Sequence, residues 1–432
     1  MERKMKDSCI PWIGEIPEHW KIARIKDIYS FQTGATPPSK TESFYDGDNL
    51  WANIGDINGK IIFETSKHLS DEGVSVCSMN ISPKGSLLYS FKLSVGQVAF
   101  CGVDMYTNEA IATFIGEPTA LSYLYYVAPL FIVFNANTNI YGAPILNQDL
   151  IKNAIIPVPP LAEQERIAAY LDEKCGDIDE LIEVEQQMIS DLEAYRQSVI
   201  TETVTHGLNQ NVRMIESGCD WFDSRPSHWH TEKIRNLFVK RSEKNNPIKT
   251  RERLSLSIDK GITLYADKTT NLDRFKDDFT QYQLAYPNDI VLNSMNMIVG
   301  AVGKSAYFGC VSPVYYVIYS KDKNVNMDFY GYLLNIPIIR DVYHKLGQGI
   351  YAIERGDGRV NTCRLKVDYY EFSQIKVPVP PIEEQNAIVS FLKEKEYEID
   401  ELIKVKQEKI ETLRQYRQSL IFEAVTGKTT IA

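Results

Sequence analysis

The sequence predicts a mixed α/β (α+β) chain: two divergent globular domains separated by two long antiparallel coiled-coil helices, with a pseudo-two-fold internal repeat. Three observations carry this. Residues 157–206 align without a gap on residues 378–427 at a shift of 221, with 27 identities in 50 pairs, where composition alone would give roughly three. Upstream, PWIGEIPEHWKIARIKDI around Trp12 echoes DWFDSRPSHWHTEKIRNL around Trp221 at a shift of 209. This pairs Trp12 with Trp221, Pro17 with Pro226, His19 with His228, Trp20 with Trp229 and Ile25 with Ile234. The stretches between the echoes show no convincing identity, and the second is 12 residues longer. A duplicated enzyme would repeat its chemistry, so copies alike at their ends and different in the middle suggest one scaffold carrying two recognition surfaces.

The elements follow in order: a first variable domain over 1–155, a helical spacer over 156–208, a second variable domain over 209–376 and a second helical spacer over 377–432. Pro157, Pro159 and Pro160, like Pro378, Pro380 and Pro381, force an extended lead-in, because proline lacks a donor and biases its predecessor away from the helical region. Each helix starts only after them. In the first the apolar stripe is Leu171, Ile178, Leu181, Ile182, Ile189, Leu192, Tyr195 and Val199; in the second it is Leu392, Ile399, Leu402, Ile403, Ile410, Leu413, Tyr416 and Leu420. These steps approach the 3.5 period of a coiled-coil seam. A helix from about 161 to 205 would be roughly 65 Å long. The favoured arrangement pairs the helices with each other rather than each on its own domain, leaving their outer faces for partner subunits.

With 44% apolar and 24% charged residues in 432, the chain has the composition of a globular protein of two or three domains, not of a disordered or collagen-like one. Its seven cysteines (Cys9, Cys77, Cys101, Cys175, Cys219, Cys310, Cys363) are odd in number, widely spaced and without a CxxC pair, as expected of reduced thiols in the cytoplasm. No apolar run follows the basic start, so a signal peptide is not expected. The most apolar stretch, residues 121–134, is too short for a bilayer and is interrupted by Pro129, so it reads as a buried helix or helix–strand pair and no membrane association is expected.

The net charge of −10 is unevenly spread. Residues 1–160 carry 12 basic and 16 acidic side chains, 161–208 carry 3 and 12, 209–381 carry 24 and 19, and 382–432 carry 8 and 10. The acidity belongs mostly to the helices, so the total does not exclude nucleic acid; the cations that neutralise phosphate must be local or shared with a partner.

Catalytic signatures are missing. VGKS at 302–305 lacks the glycine that a P-loop needs at position 298, which is Ile298. His228 and His230 have no Cys or His partners at zinc spacing, so no metal site is expected and these residues read as packing or capping groups. There is no GxSxG elbow, no HExxH helix and no Asn/Asp-Pro-Pro-aromatic motif of adenine methyltransferases. The chain is expected to be non-catalytic alone.

The variable domains do carry side chains suited to base edges and phosphates. In the first these are Thr33, Thr36 and Lys40 in TGATPPSK, Trp51 and Asn53 in LWANIGDING, Lys92 in YSFKLSVG and Asn108 in YTNEA. In the second they are Lys240, Arg241 and Lys244 in KRSEKNN, Asn293, Asn296 and Lys304 in NSMNMIVGAVGKS, Tyr315 beside Tyr316, and Gln348, Arg355 and Arg359 in GQGIYAIERGDGR. Arginine bidentate to guanine and Asn or Gln bidentate to adenine read a major groove, while Lys, Ser and Thr serve phosphates.

PxPPLxEQ followed by the IDELI helix and YRQSLIxEAVTG, a series present in two closely similar copies, with IPEHW at the start and TGATPP after it, resembles the specificity subunit of type I restriction-modification systems over essentially the whole chain. The resemblance implies two target-recognition domains, each binding one half of a bipartite sequence in double-stranded DNA, and two helical spacers. It implies recruitment of two adenine methyltransferase subunits and two motor-nuclease subunits. S-adenosylmethionine, ATP and magnesium would belong to those partners, with no cofactor on this chain. The second opening motif, DWFDSRPSHW, departs from the first in its side chains but not in its spacing. The other reading of the layout is a protein-binding scaffold whose two domains grip proteins; a self-contained restriction enzyme would need a catalytic domain for which no length is spare.

Overall fold

The computed structural model describes residues 4–92, 94–138, 142–258, 260–267, 278–350 and 364–431. They fall into two compact units, Met1–Glu185 with Glu408–Ala432, and Gln186–Gln407. Among the described residues four helices have ten residues or more: α1 (Pro118–Phe131), α2 (Leu161–His206), α3 (Pro337–Leu346) and α4 (Ile382–Val425). α2 and α4 are continuous and contribute to both units.

The first unit is built on a five-stranded sheet, in the spatial order Ser30–Thr33, Ile111–Ile115, Leu87–Ser90, Val98–Cys101, Ile61–Ile62. All neighbours are antiparallel except the last pair. IATFI and LLYS are buried almost throughout, as the short apolar runs of central strands should be. α1 lays Leu121, Leu124, Val127 and Phe131 into one core with Tyr89 and Phe114, so the apolar stretch is a buried helix, with Pro129 inside it and a 3-10 turn after it. A smaller sheet orders Tyr106–Thr107, Asn49–Ala52 and His68–Leu69.

In the second unit an antiparallel sheet runs Val239–Lys240, Tyr315–Tyr319, Ile290–Asn293, Val302–Lys304. Its apolar side chains Ile290, Leu292 and Ile318 pack with Phe329, Tyr330, Ile339 and Tyr343 from α3 and the short helix Met327–Leu333. A hairpin arm, Gly347–Ile350, pairs with Arg364–Val367. The strand Val302–Lys304 takes up the VGKS segment, whose Lys304 Nζ sits 2.5 Å from Asp328 Oδ1 rather than in a phosphate loop.

Each opening motif ties its domain to the helices in the same way. Lys21–Arg24 pairs antiparallel with the proline-rich Ile155–Val158, and His230–Lys233 with Lys376–Val379. The prolines are tolerated there because each strand has a single partner in its two-stranded ladder. Trp20 Nε1 donates to Glu163 at 3.0 Å and His19 Nε2 lies 2.6 Å from the same carboxylate; Trp229 and His228 hold Glu384, the histidine at 3.0 Å. Glu163 and Glu384 stand in the first turns of α2 and α4, where the helix dipole favours a negative charge. Next to them Gln164 and Gln385 are buried and donate to the carbonyls of Pro159 and Pro380 at 2.9 and 2.8 Å. His19 and His228 therefore hold first-turn carboxylates at the domain junctions, a packing role of the kind expected for His228.

The helix termini complete the junctions. Gly207 and Gly427 take φ of +78° and +70°, the left-handed conformation that ends helices. A Cβ on Gly207 would come within 3.0 Å of the Trp229 ring, and one on Gly427 within 2.5 Å of Pro17 and 3.1 Å of Trp20.

Within each unit the long helices run antiparallel. In the first, Arg417 Nη2 donates to Asp179 at 3.2 Å and Lys409 Nζ meets Glu185 at 2.6 Å, so partner numbers fall along α4 as they rise along α2. In the second, Arg196 pairs with Asp400 and Lys406 approaches Met188. Asp179 and Asp400, and Arg196 and Arg417, are equivalents at the shift of 221. Of the expected seam residues, Ile178, Ile399 and Ile410 are buried and Ile182, Ile189, Leu192, Ile403 and Leu413 are partly covered. Leu181, Tyr195, Leu402 and Tyr416 are a correction: they are 47–57% exposed. The covered positions run 178, 182, 185, 189, 192 and 196, a strict heptad spacing that places Glu185 and Arg196 in the seam. Leu181 and Tyr195 each sit one residue, about 100° of helix, from that line.

Candidate nucleic-acid interface

In the first unit the loop after Ser30–Thr33 folds against the Tyr106–Thr107 strand. Gly34 makes this approach possible, because a Cβ there would lie 1.7 Å from the Thr107 carbonyl oxygen, and Ala35 N–H donates to that oxygen at 3.0 Å. The contact brings Thr33, Thr36 and Asn108 to one place. Thr36 Oγ1 donates to Glu109, Thr33 Oγ1 accepts from Gln148 at 3.0 Å, and Asn108 Oδ1 accepts from the Ala110 N–H at 3.0 Å. Burial pushes the Glu109 carboxyl up, but the Thr36 hydroxyl, a backbone N–H and the nearby Lys92 ammonium outweigh it and hold the carboxyl below its usual range. Lys92 is exposed beside Phe91, and Lys40 is exposed just beyond the same loop.

Two expected contacts of this unit are occupied by the fold. Trp51 is buried, its Nε1 donating to the Ala35 carbonyl at 3.0 Å and its ring edge-on to Tyr45, so it supports the loop from beneath. Asn53 caps its own 3-10 turn, accepting from Gly55 N–H at 2.8 Å and donating to Ser66 at 2.9 Å. The sequence reading passed over Glu109, an ionised acceptor suited to a cytosine or adenine amino group; its place inside TNEA, next to Asn108, was the available signal.

In the second unit Arg241 is likewise taken. Its guanidinium is bidentate to Asp289 at 2.7 and 2.8 Å and stacks on Tyr286 and Tyr319 at 4.5 and 4.3 Å. The hydrogen bonds and charge of Asp289 raise its affinity for its proton above the ordinary value despite partial burial. Asn293 is buried and accepts from Met295 N–H at 3.1 Å, and Lys304 is tied to Asp328. These three position loops rather than face outward.

Other residues do present themselves. Lys240 is exposed, with its Nζ 4.9 Å from the Tyr316 ring centroid and 4.5 Å from that of Tyr369. Tyr316 OH donates to the Val367 carbonyl at 2.9 Å, which fixes the Arg364–Val367 strand beside it, and on that strand exposed Lys366 faces exposed Gln348 in register. Asn296 and Lys244 are exposed, and Tyr315, partly covered, is paired in register with Asn293. Arg355 and Arg359 lie outside the described residues. Tyr369 and Tyr370, with Lys366 just before them, lie outside the expected contacts because KVDYYEF reads as an amphipathic core segment; Tyr370 is 64% exposed.

Among the described residues no group of three His, Cys, Asp or Glu side chains could hold a metal ion, and no helix is long and apolar enough to cross a membrane.

Comparison with known proteins agrees with this architecture. Residues 17–194 match the family model described as type I restriction modification DNA specificity domain. The type I restriction enzyme MjaIX specificity subunit of Methanocaldococcus jannaschii is 31% identical over 166 residues, 37% of this chain and 38% of that protein. The putative type I restriction enzyme MjaX specificity subunit of the same organism is 24% identical over 452 aligned positions, covering 97% of this chain and 96% of that one. A chain from a solved structure, described as the structural basis underlying complex assembly and conformational transition of the type I R-M system, superposes with a TM-score of 0.67 at 16% identity, over 96% of this chain and 99% of that one. The chain thus carries, over residues 17–194, a type I restriction modification DNA specificity domain, and along nearly its whole length it is similar to specificity subunits of type I restriction enzymes, whose fold it shares.

Proposed function

We propose that each domain reads one half of a bipartite DNA target and that the helices set the unread gap between the halves. The observation that carries this is the pairing of a repeated frame with unlike loops. The Trp–His–Glu junctions and the Asp–Arg pairs of the helices recur, while Thr36, Asn108 and Glu109 in one domain have no counterpart in the Lys240, Gln348 and Lys366 surface of the other. Two readers on a spacer bind half-sites at a fixed separation. The chain supplies no catalytic group. It recruits two adenine methyltransferase subunits and two motor-nuclease subunits, which carry S-adenosylmethionine, ATP and magnesium, and it works in the cytoplasm where the DNA is.

Recruitment of two like subunits is supported by exposed apolar residues that occur in equivalent pairs, Leu181 with Leu402, Val184 with Val405 and Tyr195 with Tyr416. Single exposed apolar residues are ordinary, but a patch repeated on both helices suits a partner bound twice.

The test is a genome-wide adenine-methylation map of cells expressing the chain with its cognate methyltransferase subunit, against cells with that subunit alone. A new split motif of two short halves around a fixed gap is the expected result. An assembled complex that methylates no new motif would overturn the proposal.

A further inference from the structure

The two domains differ by nine charges, −4 over residues 1–160 and +5 over residues 209–381, and the structure shows where the difference matters. In the first domain the convergent polar cluster is centred on an ionised carboxylate, Glu109, which accepts from Thr36 and feels the Lys92 ammonium. In the second the polar surface is cationic and aromatic. Lys240 lies over the edge-to-face pair of buried Tyr316 and half-buried Tyr369, exposed Tyr370 follows, and exposed Lys366 stands on the strand that the Tyr316 hydroxyl holds. Neither lysine forms an ion pair among the described residues. The carboxylate within this patch, Asp368, has one oxygen engaged by the Tyr370 N–H at 2.7 Å as a helix cap.

An ammonium seated over a pair of tyrosine rings keeps its charge and loses rotamer freedom, so bringing it to a phosphate costs less ordering than for a mobile surface lysine. Flat rings and cations on one surface are the combination that grips a polyanion and packs against sugars and bases. A carboxylate-centred cluster repels phosphate and accepts instead from base amino groups.

Resting on the DNA reading above, we propose that the second domain supplies the salt-dependent grip on the duplex through the surface of Lys240, Tyr369 and Lys366, supported from beneath by buried Tyr316, and that the first domain reads its half-site with almost no phosphate neutralisation. Engagement is then ordered: the second domain makes the electrostatically steered encounter and the first docks afterwards through neutral and acceptor contacts.

The experiment measures duplex binding by the complex with its methyltransferase subunits, as log K against log salt concentration, for the natural chain, Lys240→Gln/Lys366→Gln and Lys40→Gln/Lys92→Gln. Each lost phosphate contact flattens the slope by about 0.9. The second-domain pair is expected to flatten it by nearly two, with Lys240→Arg/Lys366→Arg restoring it. The first-domain pair is expected to leave the slope unchanged whatever it does to affinity. Equal flattening by both pairs, or none by the second-domain pair, would overturn the proposal while leaving the bipartite reading standing. A natural complex with no salt dependence would defeat the DNA reading itself, and this proposal with it.

Discussion

In the first unit Trp20 joins Pro17, the carboxylate of Glu163 and the glycine that ends α4; in the second, Trp229 joins the carboxylate of Glu384 and the glycine that ends α2. The contacts match although DWFDSRPSHW and IPWIGEIPEHW agree at few positions. Beyond these junctions the halves part completely: a carboxylate-centred cluster on one side, a lysine over two tyrosine rings on the other. The frame is fixed by the contacts of the buried Trp20 and Trp229, which recur in both copies, whereas the loops need only be held at their bases, by Trp51 in one domain and by the Arg241–Asp289 pair in the other. Duplication with divergence therefore keeps the positioning and frees the reading.

The sharpest way to break this comparison is to remove the tryptophans. Trp20→Ala and Trp229→Ala each delete a buried ring and should cost about 3–5 kcal/mol. The two costs should agree to within about 1 kcal/mol in denaturant unfolding of the intact chain; a large inequality would show that the junctions are not equivalent.

Next in size is Arg241→Ala, which leaves the buried Asp289 carboxylate unpaired and should cost about 3 kcal/mol. Lys240→Ala, one residue earlier and exposed, should cost less than about 0.5 kcal/mol. Equal losses would mean that Arg241 is not the support of its loop.

On the helices, Leu192→Asp should destabilise by about 2 kcal/mol, since it puts a charge at a covered heptad position. Leu181→Asp should leave the melting temperature almost unchanged and weaken binding of the methyltransferase subunit, measured by calorimetric titration. A stable Leu192→Asp chain would move the seam elsewhere.

The smallest effect is a pH dependence. Burial pushes the Asp328 carboxyl up, but Lys304 and Lys393 outweigh it and hold the group below its ordinary value. A carboxyl with a depressed folded pKa stabilises fully above its unfolded value and loses that contribution as pH falls through the folded one. Asp328→Asn should thus be less stable at pH 7 and show a flatter decline below about pH 4 in urea midpoints taken from pH 3 to 7. Parallel curves for the two proteins would contradict this assignment.

The repeat made the frame legible. Identical prolines, the Trp–His spacing and the heptad pattern each state a physical requirement that survives in side-chain type, and the helices start and end where those signals place them. The seam was legible only in part, because apolar character alone selects Tyr195 and misses Arg196, whose charge is satisfied by Asp400 across the pair. The reading surfaces were least legible. Arg241, Asn293 and Lys304 have the residue types that contact DNA, yet each is consumed by a local partner that lies 48, 2 and 24 residues away and that composition does not reveal. Conversely Lys366 lies on the strand that the Tyr316 hydroxyl holds and Tyr369 opens the short helix after it, a placement that residue type alone does not reveal.

The central claim is that a repeated frame spaces two independent readers. It is tested most directly by inserting one heptad into each long helix, after Gln187 and after Glu408, equivalent positions at the shift of 221. Seven residues lengthen a helix by about 10 Å, or about three base pairs of duplex. A methylation map of the variant should keep both half-sites and widen the unread gap by about three base pairs. An unchanged gap, or an altered half-site, would contradict the account.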